Sequence, residues 1–258
     1  MEYYPLPDVL NCALLASHVF LENGAETYRA EEGAERICKS FGAENAQIMA
    51  LPTGAIATLS RKGEPSVTAF RRVTRRSFNL SAIDRANDAC RKIESNEIKL
   101  AQAVEIFTEL LNPSAAPRWH GLIGAAGSSG FFSLLFGGGC LDFAVATLCG
   151  LTVQAIAGVL KREDSFPFLV SLIGSMLIAL SANLTAGIFP VANADAIIAG
   201  ALMPLLPGLA MTNSIRDTMR GDLVSGVARA AEVVLVSASL AAGVGIVLGL
   251  KEFCERVL

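Results

Sequence analysis

Low charge and a scarcity of metal-binding side chains are the first features of this sequence. Only 17% of its 258 residues are charged, and it contains six Cys and two His. The Cys form no CxxC pair, and His18 and His120 lie far apart, so no metal site is indicated. We expect no metal and no cofactor. The net charge of −3 argues against nucleic acid as a partner.

The sequence also lacks the signatures of common catalytic and nucleotide-binding sites. It contains no P-loop, HExxH, GxGxxG or nucleophile elbow. Without a P-loop, nothing indicates that the chain itself hydrolyses ATP. We therefore expect no catalytic residue and no enzymatic activity.

A secretory signal is missing from the N-terminus. The opening residues, Met-Glu-Tyr-Tyr-Pro-Leu-Pro-Asp, have neither a basic stretch nor an uninterrupted apolar stretch. The N-terminal region is therefore expected to remain in the cytoplasm.

What the sequence does contain is a series of long apolar runs in its second half. A membrane-spanning helix needs about 20 apolar residues. Five runs approach or exceed that length, and a soluble protein would have too little polar surface to cover them. The sequence predicts an α-helical membrane domain over 119–258 with five spans, at Trp119–Gly137, Cys140–Leu160, Phe166–Pro190, Asn193–Thr212 and Leu223–Leu250.

The basic residues between these runs predict the topology. Alternate loops carry Lys or Arg, whereas Gly138-Gly139 and Val191-Ala192 carry none. Because basic loops stay inside, the pattern predicts a cytoplasmic N-terminus, an external C-terminus and a multi-pass protein of the inner membrane. Lys251 and Arg256 in the tail oppose this orientation, but they are outnumbered by Arg118, Lys161, Arg162, Arg216 and Arg220.

Residues 1–112 are predicted to form a small α+β cytoplasmic domain, joined to the membrane domain by a linker at 113–118. Asp8 is expected to cap a first helix, and hydrophobic periodicity predicts three further helices. Turn residues separate three short strands. The predicted helices are 8–22, 26–41, about 81–93 and 95–111, and the predicted strands are 46–51, 55–60 and 66–73.

Two charged stretches of this domain are candidate sites. The helix opening at Glu26–Glu32 either carries chemistry or is a solvated, self-paired helix face. The run Arg71, Arg72, Arg75 and Arg76 either binds anionic lipid headgroups or another anion, or is a solvated strand end.

The fourth apolar run is interrupted by Pro204-Leu205-Leu206-Pro207-Gly208. Two prolines and a glycine break the helical hydrogen-bond ladder, and transporters use such breaks to place backbone groups on a substrate. A kinked packing helix is the alternative. A polar stretch, Thr212–Asp222, follows the break directly.

Arg229 and Glu232 place two charges inside the fifth run, on one helical face. Glu232 is about 15 Å along the helix from Asp222, near the bilayer centre if the span starts there. Such charges indicate a functional site, although a structural ion pair or a snorkelling Arg229 is the alternative. Other polar residues that could line a cavity are Gln154, Asn183, Thr185 and Asp195.

These residues resemble a known family. The stretch Leu206-Pro207-Gly208…Thr212-Asn213-x-Ile215-Arg216-Asp217-x-x-x-Gly221-Asp222-x-x-Ser225-Gly226-x-x-Arg229-x-x-Glu232 is similar to the signature of the threonine/serine exporter family. The N-terminal Gly24-Ala25-Glu26-Thr27-x-Arg29-x-Glu31-x-x-x-x-Arg36-Ile37 and the Pro52-Thr53-Gly54 turn resemble that family's cytoplasmic domain. The chain departs from the pattern at Leu209-Ala210-Met211, where Val-Pro-Leu would follow Pro-Gly.

The resemblance implies a secondary transporter that exports small polar metabolites, with substrate and coupling residues within the stretch Leu206–Glu232. In this family a second membrane unit of four or five spans is either fused or a separate protein. With five spans, the chain resembles the N-terminal unit of the split form. Its expected partners are that second unit, the lipid bilayer and a small-molecule substrate, with a homo-oligomer as an alternative assembly.

Three functions remain open from the sequence. The resemblance favours amino acids such as threonine and serine as substrates. Split relatives implicate dicarboxylates such as succinate instead. A membrane-tethered hydrolase, or a sensor that uses the cytoplasmic domain, is the third alternative.

Overall fold

The computed structural model describes residues 3–112, 118–160 and 167–257. Most of the predicted linker, at 113–117, and the loop residues Lys161 and Arg162 lie outside the described residues. Within them the chain forms two compact units. The first contains 3–112 together with Leu209–Ala230, and the second contains 118–160, 167–Gly208 and Ala231–257.

The N-terminal part of the first unit consists of four helices and one sheet. The helices are α1 (Leu6–Glu22), α2 (Thr27–Ser40), α3 (Leu80–Glu94) and α4 (Leu100–Leu111). The strands are β1 (Asn45–Leu51), β2 (Gly54–Ser60) and β3 (Val67–Arg72). All seven elements lie within about two residues of the predicted bounds, except at the start of α4.

Helix α1 is the centre of this unit's hydrophobic core. Its apolar residues are buried nearly all round the helix, with Val9, Val19 and Phe20 fully buried. They pack with Ile37 of α2, Leu59 of β2 and other apolar residues in one cluster. A helix that is apolar on most faces is stable only when other elements surround it, so α1 holds the surrounding helices and sheet together.

The sheet has the order β1-β2-β3, and both pairs are antiparallel. In this register Met49, Ile56 and Phe70 form one cross-strand row. Their side chains are exposed, whereas Ala55, Ala57 and Leu59 of the central strand are buried. One face of the sheet therefore contributes to the core, and the other carries an exposed apolar row.

Two helix starts differ from the predictions. The N-cap of α1 is Pro5, not Asp8 as predicted. Asp8 lies in the first turn, where its carboxylate interacts favourably with the helix dipole. Helix α4 begins at Leu100, not near Ser95. Asn96 has a φ of 60°, a left-handed conformation that ends helical geometry between α3 and α4.

The remainder of the first unit comes from the second half of the chain. Leu209–Ala230 includes most of helix α9 (Gly208–Met219), a turn at Arg220–Asp222, and the beginning of helix α10 (Leu223–Val257). This helical hairpin belongs to the same compact unit as α1–α4, although about 100 residues separate the two segments in sequence.

The described residues of the second unit form helices joined by short turns, with no strand among them. Its helices are α5 (Arg118–Leu135), α6 (Cys140–Leu160), α7 (Pro167–Ile188) and α8 (Ala194–Leu202), with the greater part of α10. Three helices in the described part of the chain are long and apolar enough to cross a membrane: Cys140–Gly158, Phe168–Ile188 and Leu223–Arg256. The count reaches four if the bent pair Ala194–Leu205 and Gly208–Met219 forms one span. Five spans, which would include α5, stay a prediction.

The break predicted in the fourth run is present. Helix α8 passes into a short 3₁₀ turn at Met203–Leu205, and Leu206 then adopts an extended conformation with φ −67° and ψ 133°. The residue before a proline disfavours helical geometry, so Pro207 accounts for the extended Leu206. Helix α9 begins immediately afterwards, at Gly208.

Helices α5, α6 and α8 approach each other at backbone distance. A Cβ atom at Gly150 of α6 would lie 2.4 Å from Ser129 Oγ, and one at Gly200 of α8 would lie 2.4 Å from the backbone nitrogen of Ser133. Both positions therefore exclude any side chain. Close contact through small residues is typical of membrane helices.

Candidate functional site: a polar cluster on the α1–α2 turn

The turn between α1 and α2 positions the candidate site. Asn23 is the C-cap of α1, and Gly24 follows with a φ of +83°. Such a left-handed residue at the end of a helix is usually glycine, because it lacks a Cβ. Ala25 and Glu26 then lead into Thr27, the first residue of α2. The amide groups at the start of α2 have no partner within that helix.

Asp217 of α9 provides the missing acceptor. Its Oδ1 accepts a hydrogen bond from the Thr27 backbone N–H at 3.1 Å, and its Oδ2 accepts one from Thr27 Oγ1 at 3.0 Å. Glu26 occupies the N-cap position, but its side chain makes no capping hydrogen bond. Asp217 therefore caps α2 from a position 190 residues away, and its negative charge also favours the helix dipole.

Arg229 of α10 neutralises this buried carboxylate. Asp217 is fully buried, and Arg229 is 8% exposed. Arg229 Nε lies 3.3 Å from Asp217 Oδ2, and its terminal nitrogen donates to the Ala25 carbonyl at 2.8 Å. Burying a charge is costly unless it is paired and hydrogen-bonded. The hydrogen bonds of this pair come from Thr27 to Asp217 and from Arg229 to the Ala25 carbonyl, and the second of them attaches α10 to the α1–α2 turn.

A second ion pair borders the first. Arg216 of α9 donates to Glu26 Oε1, while Arg29 Nε lies 3.0 Å from Glu26 Oε2. One turn earlier on α9, Asn213 Nδ2 donates to the Gly24 carbonyl at 2.8 Å. We call this set of contacting side chains the Asp217 cluster. Its members are Glu26, Thr27, Asn213, Arg216, Asp217 and Arg229.

Glu26 is held in its ionised form by this arrangement. Burial opposes ionisation, but a hydrogen bond from its own backbone N–H and one from Arg216, with the charges of Arg29 and Arg216, outweigh it. The pKa of Glu26 therefore lies below its ordinary value. The cluster thus contains two carboxylate–guanidinium pairs around one helix start.

Next to the cluster lies a surface cavity of about 520 Å³, between α2, β1 and the α9–α10 turn. Glu31 contributes a carboxylate that accepts a hydrogen bond from the Ala50 N–H at 2.8 Å. Arg220 lies over the Tyr28 ring, 3.8 Å from its centre, and 3.7 Å from Glu32. The lining residues are Tyr28, Glu31, Glu32, Glu35, Ala46, Gln47, Ile48, Arg220 and Asp222.

Two carboxyl groups of this cavity are harder to ionise than usual. Burial raises the pKa of Glu31, with the charges of Asp222 and Asp217 adding to the effect and the Ala50 hydrogen bond opposing it. Burial also raises the pKa of Asp222, with the charge of Asp217 adding and that of Arg220 opposing. The cavity is therefore a site where added positive charge is electrostatically favoured.

The other predicted site residues lie outside these contacts. Pro207 and Gly208 form the break before α9, and Thr212 is exposed on α9. Glu232 is half-buried on the part of α10 that belongs to the second unit. Arg36 is 4.0 Å from Glu94. Pro52 and Thr53 form the β1–β2 turn next to Gly54, and the Thr53 carbonyl accepts from the Val73 N–H.

Sequence reasoning identified six members of the cluster but not their contact with one another. It also missed the backbone carbonyls of Gly24 and Ala25 as acceptors, and the stacking of Arg220 on Tyr28. The opposite charges of Glu26 and Arg216 were the available signal. Many other pairs of residues in the chain also have opposite charges, so charge alone does not identify Arg216 as the partner of Glu26.

The apolar helices define a membrane protein. The family of the chain is assigned by comparison with known proteins. The profile of the ThrE threonine/serine exporter family matches residues 11–251, so the chain belongs to the threonine/serine exporter family. The match includes every member of the Asp217 cluster. No solved structure matches the chain.

Relatives with two kinds of names were found. A probable threonine/serine exporter of Mycobacterium tuberculosis is 25% identical over 92% of this chain and 45% of its own length. The threonine/serine exporter of Corynebacterium glutamicum is 24% identical over all of this chain and 54% of its own length. The chain thus spans about half the length of these relatives. A probable succinate transporter subunit, YjjP of Klebsiella aerogenes, is 25% identical, covering 93% of this chain and 91% of its own length.

Proposed function

We propose that this chain is a subunit of a secondary transporter that exports small polar metabolites across the cytoplasmic membrane, with amino acids such as threonine and serine as substrates. The observation that carries the proposal is the Asp217 cluster. Two sequence motifs nearly 190 residues apart meet there, in a chain that belongs to an exporter family. The expected activity is transport, with no catalytic residue.

The cluster fits a role in transmitting movement. Helix α9 starts directly after the break at Pro207 and carries Asn213, Arg216 and Asp217 onto the α1–α2 turn. Broken helices in transporters place backbone groups where substrate binds. In our proposal a change at the break moves α9, and the cluster carries that movement to α1 and α2.

The charge of the neighbouring cavity supports amino acids over dicarboxylates. Four carboxylates and one guanidinium line it, and the pKa values of Glu31 and Asp222 are raised. A dicarboxylate adds negative charge to this surface, whereas an amino acid brings an ammonium group. Complementary charge is the main source of such discrimination. We propose this cavity as the cytoplasmic recognition site for the substrate.

Dicarboxylate export is the second candidate, favoured by one observation. The YjjP relative, named as a probable succinate transporter subunit, matches this chain over nearly its whole length. Efflux from liposomes loaded with labelled threonine, serine or succinate distinguishes the candidates. Efflux of threonine or serine but not succinate is expected. Efflux of succinate alone would replace our substrate assignment, and no efflux of any of them would contradict export by the reconstituted system.

A second membrane unit is proposed as the partner. The exporter relatives are about twice as long as the region they share with this chain, whereas the YjjP relative has a similar length. Co-reconstitution with a protein equivalent to the remaining half of the exporter relatives should raise efflux well above that of this chain alone. Full activity of the lone chain would favour a homo-oligomer or a self-sufficient monomer.

Coupling is assigned to Glu232 as a proposal. Arg229 already binds Asp217 and the Ala25 carbonyl, which supports a positioning role for it. A half-buried carboxylate on a spanning helix is suited to carry a proton between the two sides. Glu232→Gln should retain substrate exchange but lose accumulation driven by a pH gradient. Normal pH-dependent export by this variant would exclude Glu232 from coupling.

The proposed topology places the N-terminus in the cytoplasm and the C-terminus outside. Its support is the distribution of Lys and Arg between the predicted spans. In a variant without native Cys, a membrane-impermeant thiol reagent should label a cysteine at position 192 in intact cells but not one at position 163. The reverse labelling would invert the topology.

A further inference from the structure

The segment from the last residue of β3 to the first residue of α3, Arg72–Leu80, combines exposed arginines with exposed apolar side chains. Arg72, Arg75 and Arg76 are exposed, and Phe78 and Leu80 are 59% and 65% exposed. The chain carries no Asp or Glu between positions 65 and 83. The segment therefore presents positive charge and apolar surface together.

Backbone hydrogen bonds fix this segment on the end of α1. The Ser77 N–H donates to the Glu22 carbonyl at 2.7 Å, and the Asn79 N–H donates to the Asn23 carbonyl at 3.2 Å. The Phe78 ring lies against Gly24, where an added Cβ would be 2.6 Å from Phe78 Cδ1. The position of the segment is therefore set by the α1–α2 turn.

The same turn binds the α9–α10 hairpin, because Asn213 Nδ2 donates to the Gly24 carbonyl. Apolar side chains on this hairpin are strongly exposed, including Met211 at 55% and Val224 at 66%. Leu223 also begins the most hydrophobic candidate span. Exposed apolar residues leading into a span are expected to contact lipid. Gly24 is therefore in contact with the hairpin through Asn213 and with the ring of Phe78.

We propose that Arg72, Arg75, Arg76, Phe78 and Leu80 form a binding patch for anionic phospholipid at the membrane surface beside this hairpin. Guanidinium groups pair well with phosphate, and aromatic side chains are favoured at the level of the headgroups. Arg71 is not part of the patch, because it is only half-exposed and its side chain turns to His18, where Nε donates to Nδ1. The carboxylate of Glu22 interacts electrostatically with Arg75. That carboxylate is also in contact with His18 Nε2, at 3.0 Å.

A second copy of this chain fits the patch less well than lipid does. Pairing the patch with itself would bring arginines of the two copies together, and like charges oppose such an interface. An anionic lipid surface supplies the complementary charge. It also accepts Phe78 and Leu80 without requiring a shaped pocket.

Hydrogen exchange of the full chain in nanodiscs tests the proposal. The amides of residues 72–80 are compared between discs of phosphatidylcholine alone and discs that also contain phosphatidylglycerol. Slower exchange is expected with phosphatidylglycerol, and high salt should reverse the slowing. If one or two arginines bind lipid, phosphatidylglycerol should slow exchange in the wild type by roughly five- to 30-fold. The double variant Arg75→Gln/Arg76→Gln should lose this slowing. The matched control, Lys62→Gln/Arg91→Gln, removes two exposed charges elsewhere and should retain it.

Three results would overturn the proposal. Equal exchange in the two kinds of disc would exclude anionic lipid as the ligand. Slowing that survives in the Arg75→Gln/Arg76→Gln variant would exclude the arginines. Slowing that depends on the number of protein copies per disc, and not on lipid charge, would assign the patch to contact between copies. The readout is independent of transport, so the proposed export function can fail while lipid binding stands, or the reverse.

Discussion

Thr27 donates its backbone amide and its hydroxyl to the two carboxylate oxygens of Asp217, at 3.1 and 3.0 Å. One buried carboxylate thereby starts α2 and attaches α9 to it. Helix caps usually come from the residue next to the helix. Here the capping residue, Asp217, is distant in sequence and is brought to α2 by tertiary packing. The first turn of α2 is therefore stabilised only when the α9–α10 hairpin is in place.

Asp217→Asn should destabilise the protein strongly. The amide still accepts one hydrogen bond from Thr27, but Arg229 keeps its charge in a buried position without the paired carboxylate. Breaking a buried pair costs about 3–5 kcal/mol. The melting temperature, followed by circular dichroism in detergent, should fall by about 10 °C. Asp88→Asn, which breaks the exposed Asp88–Lys92 pair, is the control and should have little effect.

A double-variant cycle then separates the pair from general damage at the site. Adding Arg229→Gln to Asp217→Asn removes the stranded charge, so the double variant should be more stable than Asp217→Asn alone. Additive losses would show that Asp217 and Arg229 act independently.

Thr27→Val should cost about 1.5–3 kcal/mol, because it removes a hydrogen bond to a buried, charged acceptor while nearly preserving the side-chain volume. Thr27→Ser keeps the hydroxyl and should cost less. Chemical denaturation of both variants measures the difference. A loss in Thr27→Val no larger than that in Thr27→Ser would contradict a dominant contribution from the hydroxyl.

The Glu26 network should weaken in acid. The folded pKa of Glu26 is below the ordinary value of 4.5, so its stabilisation is complete above that pH. It is lost as the pH falls from there through the folded pKa. The melting temperature of Glu26→Gln should therefore lie below that of the wild type at pH 7, and the gap should narrow below pH 4.5. A gap that stays constant down to pH 3 would contradict the pairing with Arg216 and Arg29.

Asp222→Asn should stabilise the protein slightly at neutral pH. Burial and the charge of Asp217 raise the folded pKa of Asp222, so its ionised form is disfavoured in the folded state. Because Asp222 is partly exposed, solvent reduces the gain, and we expect a rise in melting temperature of ~2 °C. The gain should disappear in acid, where Asp222 is protonated. A lower melting temperature at pH 7 would show that the carboxylate has a stabilising partner.

Gly24→Ala should destabilise the α1–α2 turn for two separable reasons. Its φ of +83° strains any residue with a Cβ, and that Cβ would meet the Phe78 ring at 2.6 Å. In a Phe78→Ala background the collision is removed, so Gly24→Ala should cost less there, leaving about 1–2 kcal/mol of backbone strain. Thermal unfolding of the four proteins gives both contributions. An equal cost in both backgrounds would exclude the collision.

The fold of the N-terminal region was largely predictable because its signals are local. Hydrophobic periodicity and turn residues located the helices and strands, and the break at Pro207 follows from the chemistry of proline. The start of α4 was placed too early because nothing in Ser95 or Asn96 revealed the left-handed conformation of Asn96.

The site was predictable only in part. Both motifs contain its residues, but their meeting depends on packing between segments nearly 190 residues apart. In the sequence, Glu26 fits a self-paired helix face, and its partner Arg216 lies in the polar stretch Thr212–Asp222. Charge alone does not pair them, since each has other neighbours of opposite sign in sequence, such as Arg29 for Glu26 and Asp217 for Arg216.

The glycines of the second unit restrict how it can move. Gly150 lies so close to Ser129, and Gly200 so close to the backbone of Ser133, that neither contact leaves room for sliding. Interlocked surfaces of this kind separate or stay together; they do not shear past one another. Any rearrangement in this unit should therefore carry α5, α6 and α8 as one rigid block, and its hinges must lie at the ends of that block, with Pro207 the leading candidate.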